Sequence, residues 1–377
     1  MIAPKRMSSR MSFKSALRDF FGLRASFISV FVATLVLLVA EGATGAATKP
    51  TTVAEIALYQ GADREQFLIE GAKKEGQVMF YNINTWLSTV AQEFEKKYSF
   101  VKVSVWRSDS KTLLKRVTEE YASGRYLVDV IDVTFGGVAI LHKMGIFQEY
   151  YSPEMVAYTD EVKAKGKTGV YYLPDLELYI GLGFNTKLVA AADAPKTYKD
   201  LLDAKWKGRI SFAGTSTGSQ WVGNALNVMG REYLEKLGGQ DVKVQNISGA
   251  ALAGLIVSGE VPLSPTIYES NILTSREKGG PVDWRPLEPV VANVGSSGMT
   301  TKAPHPHAAL LFLDYLHSKE GQKVVMKGGL GSPREDIGSL ERKFKKSYLE
   351  AQYPLEELEK KFSEWEELMK RLFIRKR

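Results

Sequence analysis

The chain has 377 residues, of which 25% are charged and 44% are hydrophobic, a composition typical of globular proteins at a length sufficient for two domains. It contains no cysteine, which excludes disulfides, thiolate metal ligands, a thiol nucleophile and a lipid-modified cysteine behind a signal peptide. The formal net charge is +7, but residues 1–47 contribute +4 of it. The remaining +3 gives no indication of a nucleic-acid-binding surface.

Residues 1–47 have the pattern of a secretory signal peptide. Basic residues extend to Arg24, residues 25–40 are apolar and uncharged, and residues 41–47 are mostly small. A membrane-spanning helix needs about 20 apolar residues, so this core is short for one; an uncleaved signal anchor is the alternative. Because no cysteine can carry a lipid, we expect the mature protein to be free in the periplasm.

Strand and helix patterns alternate in the first part of the chain. Residues 128–135 are apolar enough for a strand that is covered on both faces. The alternation predicts a parallel sheet with helices on both faces, and ligands of such sheets lie beyond the carboxyl ends of the strands. Two of these ends are the corners at residues 81–85 and 134–137. The predicted elements are helix 63–75, opened by an Asp63–Gln66 capping box, strand 77–83, helix 86–98, strand 101–106, helix 112–123, strand 128–135 and helix 136–144.

Residues 171–187 separate this part from a second one of the same kind. A proline interrupts their apolar run, and a strand at 178–184 follows that contains Gly181 and Gly183. Glycines can absorb backbone change, so we interpret this stretch as a hinge between two lobes, with strand 290–294 crossing back. The second part has predicted helices at 195–202, 216–229, 233–237, 250–257, 269–278, 308–317, 318 onward and 355–372, and predicted strands at 210–213, 261–268 and 282–287.

The order of several short stretches is distinctive. They are residues 63–75 before 78–81, 128–130, 145–150 before Ser152-Pro153, 179–187, 195–202 leading into 205–208, 258–260, 279–282, and 303–309 leading into 318–322. Together they resemble type 2 periplasmic solute-binding proteins of ABC importers, specifically the iron(III)-binding branch, over nearly all of the chain after residue 47.

The resemblance implies an α/β fold of two lobes joined by crossing strands at the hinge, with a ligand cleft between the lobes. It assigns residues 48–180 with 291–345 to lobe 1, 181–290 to lobe 2, and 346–377 to a C-terminal amphipathic helix. It also implies that the protein has no enzymatic activity, acts as a monomer, and delivers its closed complex to the membrane permease of an ABC transporter.

The ligand is where the sequence departs from the iron binders. Those proteins use a histidine at the first corner, a glutamate at the end of the third strand and two adjacent tyrosines in the second lobe. Here the first corner has no histidine, Thr134 or Phe135 stands in place of the glutamate, and the tyrosine pair is reduced to Tyr268-Glu269. Iron(III) held together with an anion stays open, but we predict no metal site and no resident cofactor.

The polar corners predict instead a small anionic or polar solute. Free N–H groups at the start of a helix favour carboxylate or phosphate, and two glycine- and serine-containing runs lie at predicted helix starts. The alternative for each residue is ordinary capping or turn chemistry. The candidate ligand-binding residues are Tyr81, Asn82, Asn84, Thr85, Thr134, Gly136, Gly137, Ser216, Thr217, Ser219, Trp221, Tyr268 and Glu269.

A secreted serine hydrolase is the alternative function. Residues 214–218 fit the G-x-S-x-G pattern between a strand and a helix, which would make Ser216 the nucleophile. Asp283 with His305 or His307 could complete a triad. The pattern is short in a segment rich in Ser, Thr and Gly, so it is weak evidence for catalysis. His305 and His307 do not indicate a metal site either, since no carboxylate or cysteine cluster stands beside them in the sequence.

Overall fold

The computed structural model describes residues 49–337 and 344–374. The predicted signal peptide at residues 1–47 therefore lies outside the described residues. The chain separates into the units Met1–Pro50 and Thr51–Arg377, and the fold below is that of the second unit.

The first part of this unit has the predicted alternation of strand and helix. Strands β1 to β3 pair in parallel, in the order β2-β1-β3. The third strand is buried on both faces as far as its last residue, as the apolar run predicts. The helices α1 to α5 span Val53–Ala57, Arg64–Glu75, Leu87–Lys97, Ser110–Ala122 and Phe135–Lys143, and β1 to β3 span Gln77–Asn82, Lys102–Arg107 and Val130–Thr134.

The capping box predicted at Asp63 is wrong. The Asp63 side chain makes no capping hydrogen bond; it accepts one from the hydroxyl of Tyr59 instead. A capping box forms earlier, where Thr52 and Glu55 satisfy each other's backbone N–H groups at the start of α1. The end of α2 is as predicted, because Gly76 takes the left-handed conformation, with φ of 68°, that suits glycine.

Two long strands carry the sheet from the first part into the second. β5, at Val170–Asn185, runs without a break through Pro174, so the proline does not interrupt it. A register shift lies nearby in its partner at Gly295/Ser296. That partner, β10 at Val290–Met299, lies between β3 and β5 and pairs antiparallel with both, so the nine-stranded sheet is mixed rather than parallel. β4, β5 and β10 span Ala164–Lys165, Val170–Asn185 and Val290–Met299.

The second part is also built of alternating elements. β8 (Leu263–Tyr268) and β9 (Val282–Arg285) both pair with the later half of β5, while β6 (Ser211–Ala213) and β7 (Lys243–Gln245) form a separate parallel pair. The predicted helix at 195–202 is shorter, a 3₁₀ turn at Lys199–Leu202. Helices α6 to α9 span Ser216–Met229, Arg231–Gly238, Gly249–Ser258 and Glu269–Glu277, and β6 to β9 span Ser211–Ala213, Lys243–Gln245, Leu263–Tyr268 and Val282–Arg285.

After β10 the chain adds two helices to the first part and then ends in a helix that packs on the second part. A short strand pairs with the start of β10, and a 3₁₀ turn at Leu349–Gln352 leads into the C-terminal helix. That helix confirms the predicted amphipathic segment and buries Trp365 and Met369. Helices α10 to α12 span Pro306–His317, Lys319–Lys327 and Leu355–Phe373, and β11 spans Lys346–Ser347.

The apolar core divides along β5. Leu173 and Leu176 belong to one cluster with the first part of the chain, whereas Ile180 and Phe184 belong to a second cluster with residues of α6 and α12. This division falls close to the lobe boundary predicted at residue 180, although the domain limits themselves stay a prediction.

Within the described ranges, 49–337 and 344–374, none of the helices combines the length and apolar character that a membrane crossing requires.

Candidate functional site

A cavity of about 220 Å³ lies where the strand ends of the first part meet α6 and β8 of the second. The crossing strands β5 and β10 also contribute to it, as does the C-terminal segment through Glu350. It therefore takes residues from both parts of the chain and from the strands that cross between them. Its lining residues are Ile83, Asn84, Asp132, Thr134, Leu176, Leu178, Ser216, Gln220, Tyr268, Asn293, Val294, Gly295 and Glu350.

Larger hollows exist elsewhere in the protein. One of about 490 Å³ runs along the C-terminal helix and is lined by charged side chains, among them Arg231, Lys361 and Glu364. Lys361 already pairs with Glu364 there, with 2.9 Å between Nζ and Oε2. A small-solute site is expected to be concave, partly apolar and served by a few convergent polar groups, and the smaller cavity meets that description better.

Four of the residues singled out from the sequence line this cavity. Asn84 follows β1, Thr134 ends β3, Ser216 begins α6 and Tyr268 ends β8. Each lies at the carboxyl end of a strand or at the start of the next helix, which is where the topology rule places ligands. The two corners predicted in the first part therefore meet Ser216 and Tyr268 of the second part in one space.

The other candidates lie outside the lining, and several have structural roles. The Tyr81 hydroxyl donates to Glu120 at 3.0 Å within the first part. Trp221 is fully buried and stacks on Tyr198, with ring centroids 5.3 Å apart. The Ser219 hydroxyl donates to its own helix, at the carbonyl oxygen of Ser216. Six further candidates do not line the cavity: Asn82, Thr85, Gly136, Gly137, Thr217 and Glu269.

The expected anion position at the start of α5 has internal partners. The Gly137 N–H donates to the Thr134 hydroxyl oxygen at 3.3 Å, which caps the helix. The Gly136 N–H is a hydrogen-bond partner of the Glu350 carboxyl. The two residues are close together, since a Cβ atom added to Gly136 would lie 3.9 Å from Glu350 Oε2. Burial raises the pKa of Glu350, and the Gly136 N–H opposes that rise. The helix start thus holds a carboxyl of the protein itself.

A hydrogen-bonded chain of side chains forms the second wall. The Asn293 Nδ2 donates to Gln220 Oε1 at 2.8 Å and to the Tyr268 hydroxyl at 2.9 Å. The Gln220 Nε2 in turn donates to Glu350 Oε1 at 3.2 Å. Burial raises the pKa of Tyr268, so its hydroxyl keeps its proton at neutral pH. These contacts fix four side chains from four different elements in one wall.

Two buried carboxyls lie at the opposite wall, Asp132 in the lining and Asp175 next to it. Asp132 is fully buried, and its Oδ2 accepts the Ile83 N–H at 3.2 Å. Burial is the main cause that raises its pKa to about 7. Asp175 is also fully buried, and burial together with the neighbouring Asp132 charge raises its pKa well above the ordinary value. Gly295 leaves room for both, since a Cβ there would lie 2.9 Å from Asp175 Oδ1 and 3.3 Å from Asp132 Oδ1.

The sequence reading missed several of these lining residues. Asp132 carries a signal that could have been read, because it lies two residues before Thr134 and therefore on the same face of the strand. Gln220 lies one helical turn after Ser216 and carries a comparable signal. Glu350 carries none, since it reaches the cavity from a segment far away in the sequence.

The sequence model of the bacterial extracellular solute-binding proteins matches residues 89–347, more than half of the chain. The chain belongs to this family. This solute-binding protein is also similar to an uncharacterized protein of Haemophilus influenzae. The two are 26% identical over 276 residues, which cover 68% of this chain and 78% of that protein.

Solved structures of similar fold are periplasmic binding proteins. Iron-bound HitA from Pseudomonas aeruginosa is 20% identical with a TM-score of 0.60, covering 78% of this chain and 99% of HitA. FutA from Trichodesmium, in complex with iron and citrate, is 17% identical with a TM-score of 0.61, covering 79% and 99%. AfuA from Actinobacillus pleuropneumoniae, with fructose-6-phosphate bound, is 20% identical with a TM-score of 0.59, covering 80% and 100%. The likeness confirms the predicted two-lobe α/β fold.

The oxygen groups of the lining include the Asp132 and Glu350 carboxyls and the Tyr268 hydroxyl. Among the described residues, no group of three or more His, Cys, Asp or Glu is arranged to hold a metal ion. Tyr268 shares a hydrogen bond with Asn293, and Glu350 with Gln220.

The hydrolase alternative gains no support from this solute-binding fold. Ser216 lines the cavity, but none of the described lining residues is a histidine that could act as its general base. His305 and His307 make hydrogen bonds elsewhere, through Nδ1 to Asp129 at 2.9 Å and to Glu75 at 2.6 Å. A triad is therefore not assembled around Ser216.

Proposed function

We propose that the protein captures a small polar solute in the cavity between its two core clusters and delivers it to the permease of an ABC transporter. The observation that supports this most directly is the composition of the cavity, which takes residues from both parts of the chain and from both crossing strands. A solute bound there contacts both sides, so it stabilises the arrangement in which the two sides are close together.

The structural neighbours support the same proposal. HitA and FutA are described with iron and AfuA with fructose-6-phosphate, so the fold accepts solutes of different chemistry. In this chain the cavity offers amides, hydroxyls and apolar side chains, which suits a polar organic molecule. We further propose that residues 1–47 export the protein to the periplasm, where it acts as a monomer with lobes 48–180 plus 291–345 and 181–290.

The test begins with the solute that the protein retains. Native mass spectrometry of the protein isolated from its own organism, together with metal analysis, identifies the bound mass and distinguishes an organic solute from iron with an anion. Titration calorimetry with that solute then compares the unmodified protein with Tyr268→Ala and Ser216→Ala. Both changes remove lining side chains, so we expect each to weaken binding by about tenfold, or about 1.4 kcal/mol.

Thr215→Ala is the matched control, because Thr215 is exposed beside Ser216, lies outside the lining and makes no side-chain capping bond. Thermal unfolding of all variants checks that the fold is retained. Affinity that is unchanged in both Tyr268→Ala and Ser216→Ala would remove this cavity as the solute site.

A further inference from the structure

The side chain of Glu350 connects the two parts of the chain across one edge of the cavity. Its Oε1 accepts a hydrogen bond from Gln220 Nε2 of α6 at 3.2 Å. The same carboxyl accepts the N–H of Gly136, which lies in the first turn of α5. Because α5 belongs to the first part and α6 to the second, this one carboxyl spans the boundary between them.

The segment that carries Glu350 is fixed to the second part. Leu349 is fully buried in the second core cluster, together with residues of α12. Asn227 Nδ2 of α6 donates a hydrogen bond to the Tyr353 hydroxyl at 2.8 Å. A movement of the second part relative to the first therefore carries Glu350 with it, so the hydrogen bond to Gly136 is made or broken by that movement.

The beginning of the same segment is attached to a strand that crosses between the parts. Glu177 of β5 is fully buried, and both of its carboxyl oxygens have partners in the segment. The Tyr348 hydroxyl donates to Oε1 at 2.6 Å, and Lys346 Nζ lies 2.6 Å from Oε2. Since only Leu349 separates Tyr348 from Glu350 in the sequence, the angle between the two parts determines where Glu350 lies relative to α5.

The start of α5 is a favourable position for the Glu350 carboxylate. The first N–H groups of a helix have no partner within the helix, and the helix dipole favours a negative charge beside them. The neighbouring Gly137 N–H is already bonded to the Thr134 hydroxyl oxygen. The hydrogen bond between Glu350 and Gly136 therefore stabilises the arrangement of the two parts in which it can form.

We propose that Glu350 is a latch between the two parts, which favours their closed arrangement before any solute has bound. This inference rests on the proposed function, since it concerns closure over the same cavity. The latch keeps a minority of the solute-free molecules closed, and a solute supplies the contacts that close the others. The family match ends at residue 347, so the latch lies in a segment beyond that match.

The absence of cysteine from the chain allows the distance between the two parts to be measured without a solute. Lys111→Cys and Ala250→Cys place one exposed label on each part, at the start of α4 and of α8. These helices follow β2 and β7, which run parallel to strands that end at the cavity. Electron paramagnetic resonance of spin labels at the two sites should show a shorter, closed component beside a longer, open one.

Removal of the carboxyl tests the latch. Glu350→Ala should lower the ratio of closed to open molecules by about tenfold, as expected for the loss of hydrogen bonds to a charged group. Glu350→Gln keeps one acceptor oxygen, so its ratio should lie between that of Glu350→Ala and that of the unmodified protein. The measurements are made at pH 8, because burial raises the pKa of Glu350 and the helix start favours the ionised form.

Glu356→Ala is the matched control, because Glu356 is exposed in the first turn of α12, and it should leave the ratio within about twofold. Thermal unfolding checks the fold of each variant, and Glu350→Gln, which preserves the volume, decides the question if Glu350→Ala is destabilised. Equal shares of the closed component in the unmodified protein and in both Glu350 variants would overturn the latch. A solute-free protein without any closed component would do the same.

The outcomes distinguish the latch from the function on which it rests. Binding of the retained solute that is weakened by Tyr268→Ala, with a distance distribution indifferent to Glu350→Ala, would overturn the latch and leave solute binding in this cavity intact. A closed component that is lost in Glu350→Ala, with solute affinity indifferent to Tyr268→Ala and Ser216→Ala, would leave the latch intact and overturn the assignment of the solute to this cavity.

Discussion

Asp132 and Asp175 place two carboxyls in a fully buried position beside the candidate site. If both carboxyls were ionised in this buried position, their charges would repel each other, and neither would be hydrated. Burial accordingly raises the pKa of both groups, to about 7 for Asp132. The pair therefore couples the stability of the protein to pH.

The free energy of unfolding is expected to fall as the pH rises from about 4 to about 7. Below the ordinary aspartate pKa of 3.8, folded and unfolded chains both keep the Asp132 proton. Between that pH and about 7 the folded chain keeps a proton that the unfolded chain has released, so rising pH favours unfolding. Above about 7 both forms are ionised and this contribution to the slope ends.

Urea unfolding at several pH values from about 4.5 to about 8 measures how the free energy of unfolding depends on pH. Asp132→Asn should reduce the slope, because the amide does not titrate. Asp193→Asn changes an exposed aspartate and serves as the control. A slope in Asp132→Asn equal to that of the unmodified protein would show that this carboxyl does not carry the effect.

Residue chemistry explains which site candidates the sequence could identify. Asn84, Thr134, Ser216 and Tyr268 line the cavity, and they could be singled out because strand ends and helix starts are marked by local patterns. Trp221 lies outside the lining, because an aromatic residue one turn into a helix has the same local pattern whether it faces a ligand or the core. Its complete burial against Tyr198 depends on tertiary packing that the local sequence does not encode.

For the C-terminal helix, too, the local sequence predicts the element but not its tertiary packing. Its apolar periodicity predicted the bounds 355–372, and the structure has Leu355–Phe373. On its exposed face Glu366 pairs with Lys370 at 2.8 Å, and Lys360 and Lys361 pair with Glu364. The periodicity does not show which element the apolar face packs against; in the structure that element is α6.

Close approach of α6 and α12 depends on a glycine. A Cβ at Gly223 would lie 2.4 Å from the Trp365 ring, so any side chain there would displace the indole. Trp365 is 2% exposed and belongs to the core cluster of the second part. The helix is thus an integral part of that core.

Trp365→Ala should lower the free energy of unfolding by about 3–5 kcal/mol, because it removes a large buried side chain and leaves a cavity between two helices. Urea denaturation followed by circular dichroism measures the change. Glu359→Ala, on the exposed face of the same helix, should alter stability by no more than about 0.5 kcal/mol. Equal stability of the two variants would mean that the helix does not form part of the folded core.

For the whole molecule, the alternation of strands and helices correctly predicted an α/β fold with crossing strands. The prediction of a parallel sheet was wrong for the sheet as a whole, because β10 pairs antiparallel with β3 and β5 across more than a hundred residues of intervening chain. Local patterns mark a strand but do not name its neighbours. The position of Glu350 in the cavity is a consequence of the same long-range pairing, through β11 and β10.

The account as a whole holds that the two halves close on a solute in the cavity where they meet. Small-angle scattering with and without the retained solute tests this directly, using the unmodified protein, Ser216→Trp and Thr215→Trp. Ser216 is exposed at the cavity rim, so a tryptophan there fills the space, whereas Thr215 lies outside the lining. We expect the radius of gyration to decrease on binding in the unmodified protein and in Thr215→Trp, and to stay constant in Ser216→Trp. A solute that binds the unmodified protein without compaction, or compacts Ser216→Trp equally, would contradict the account.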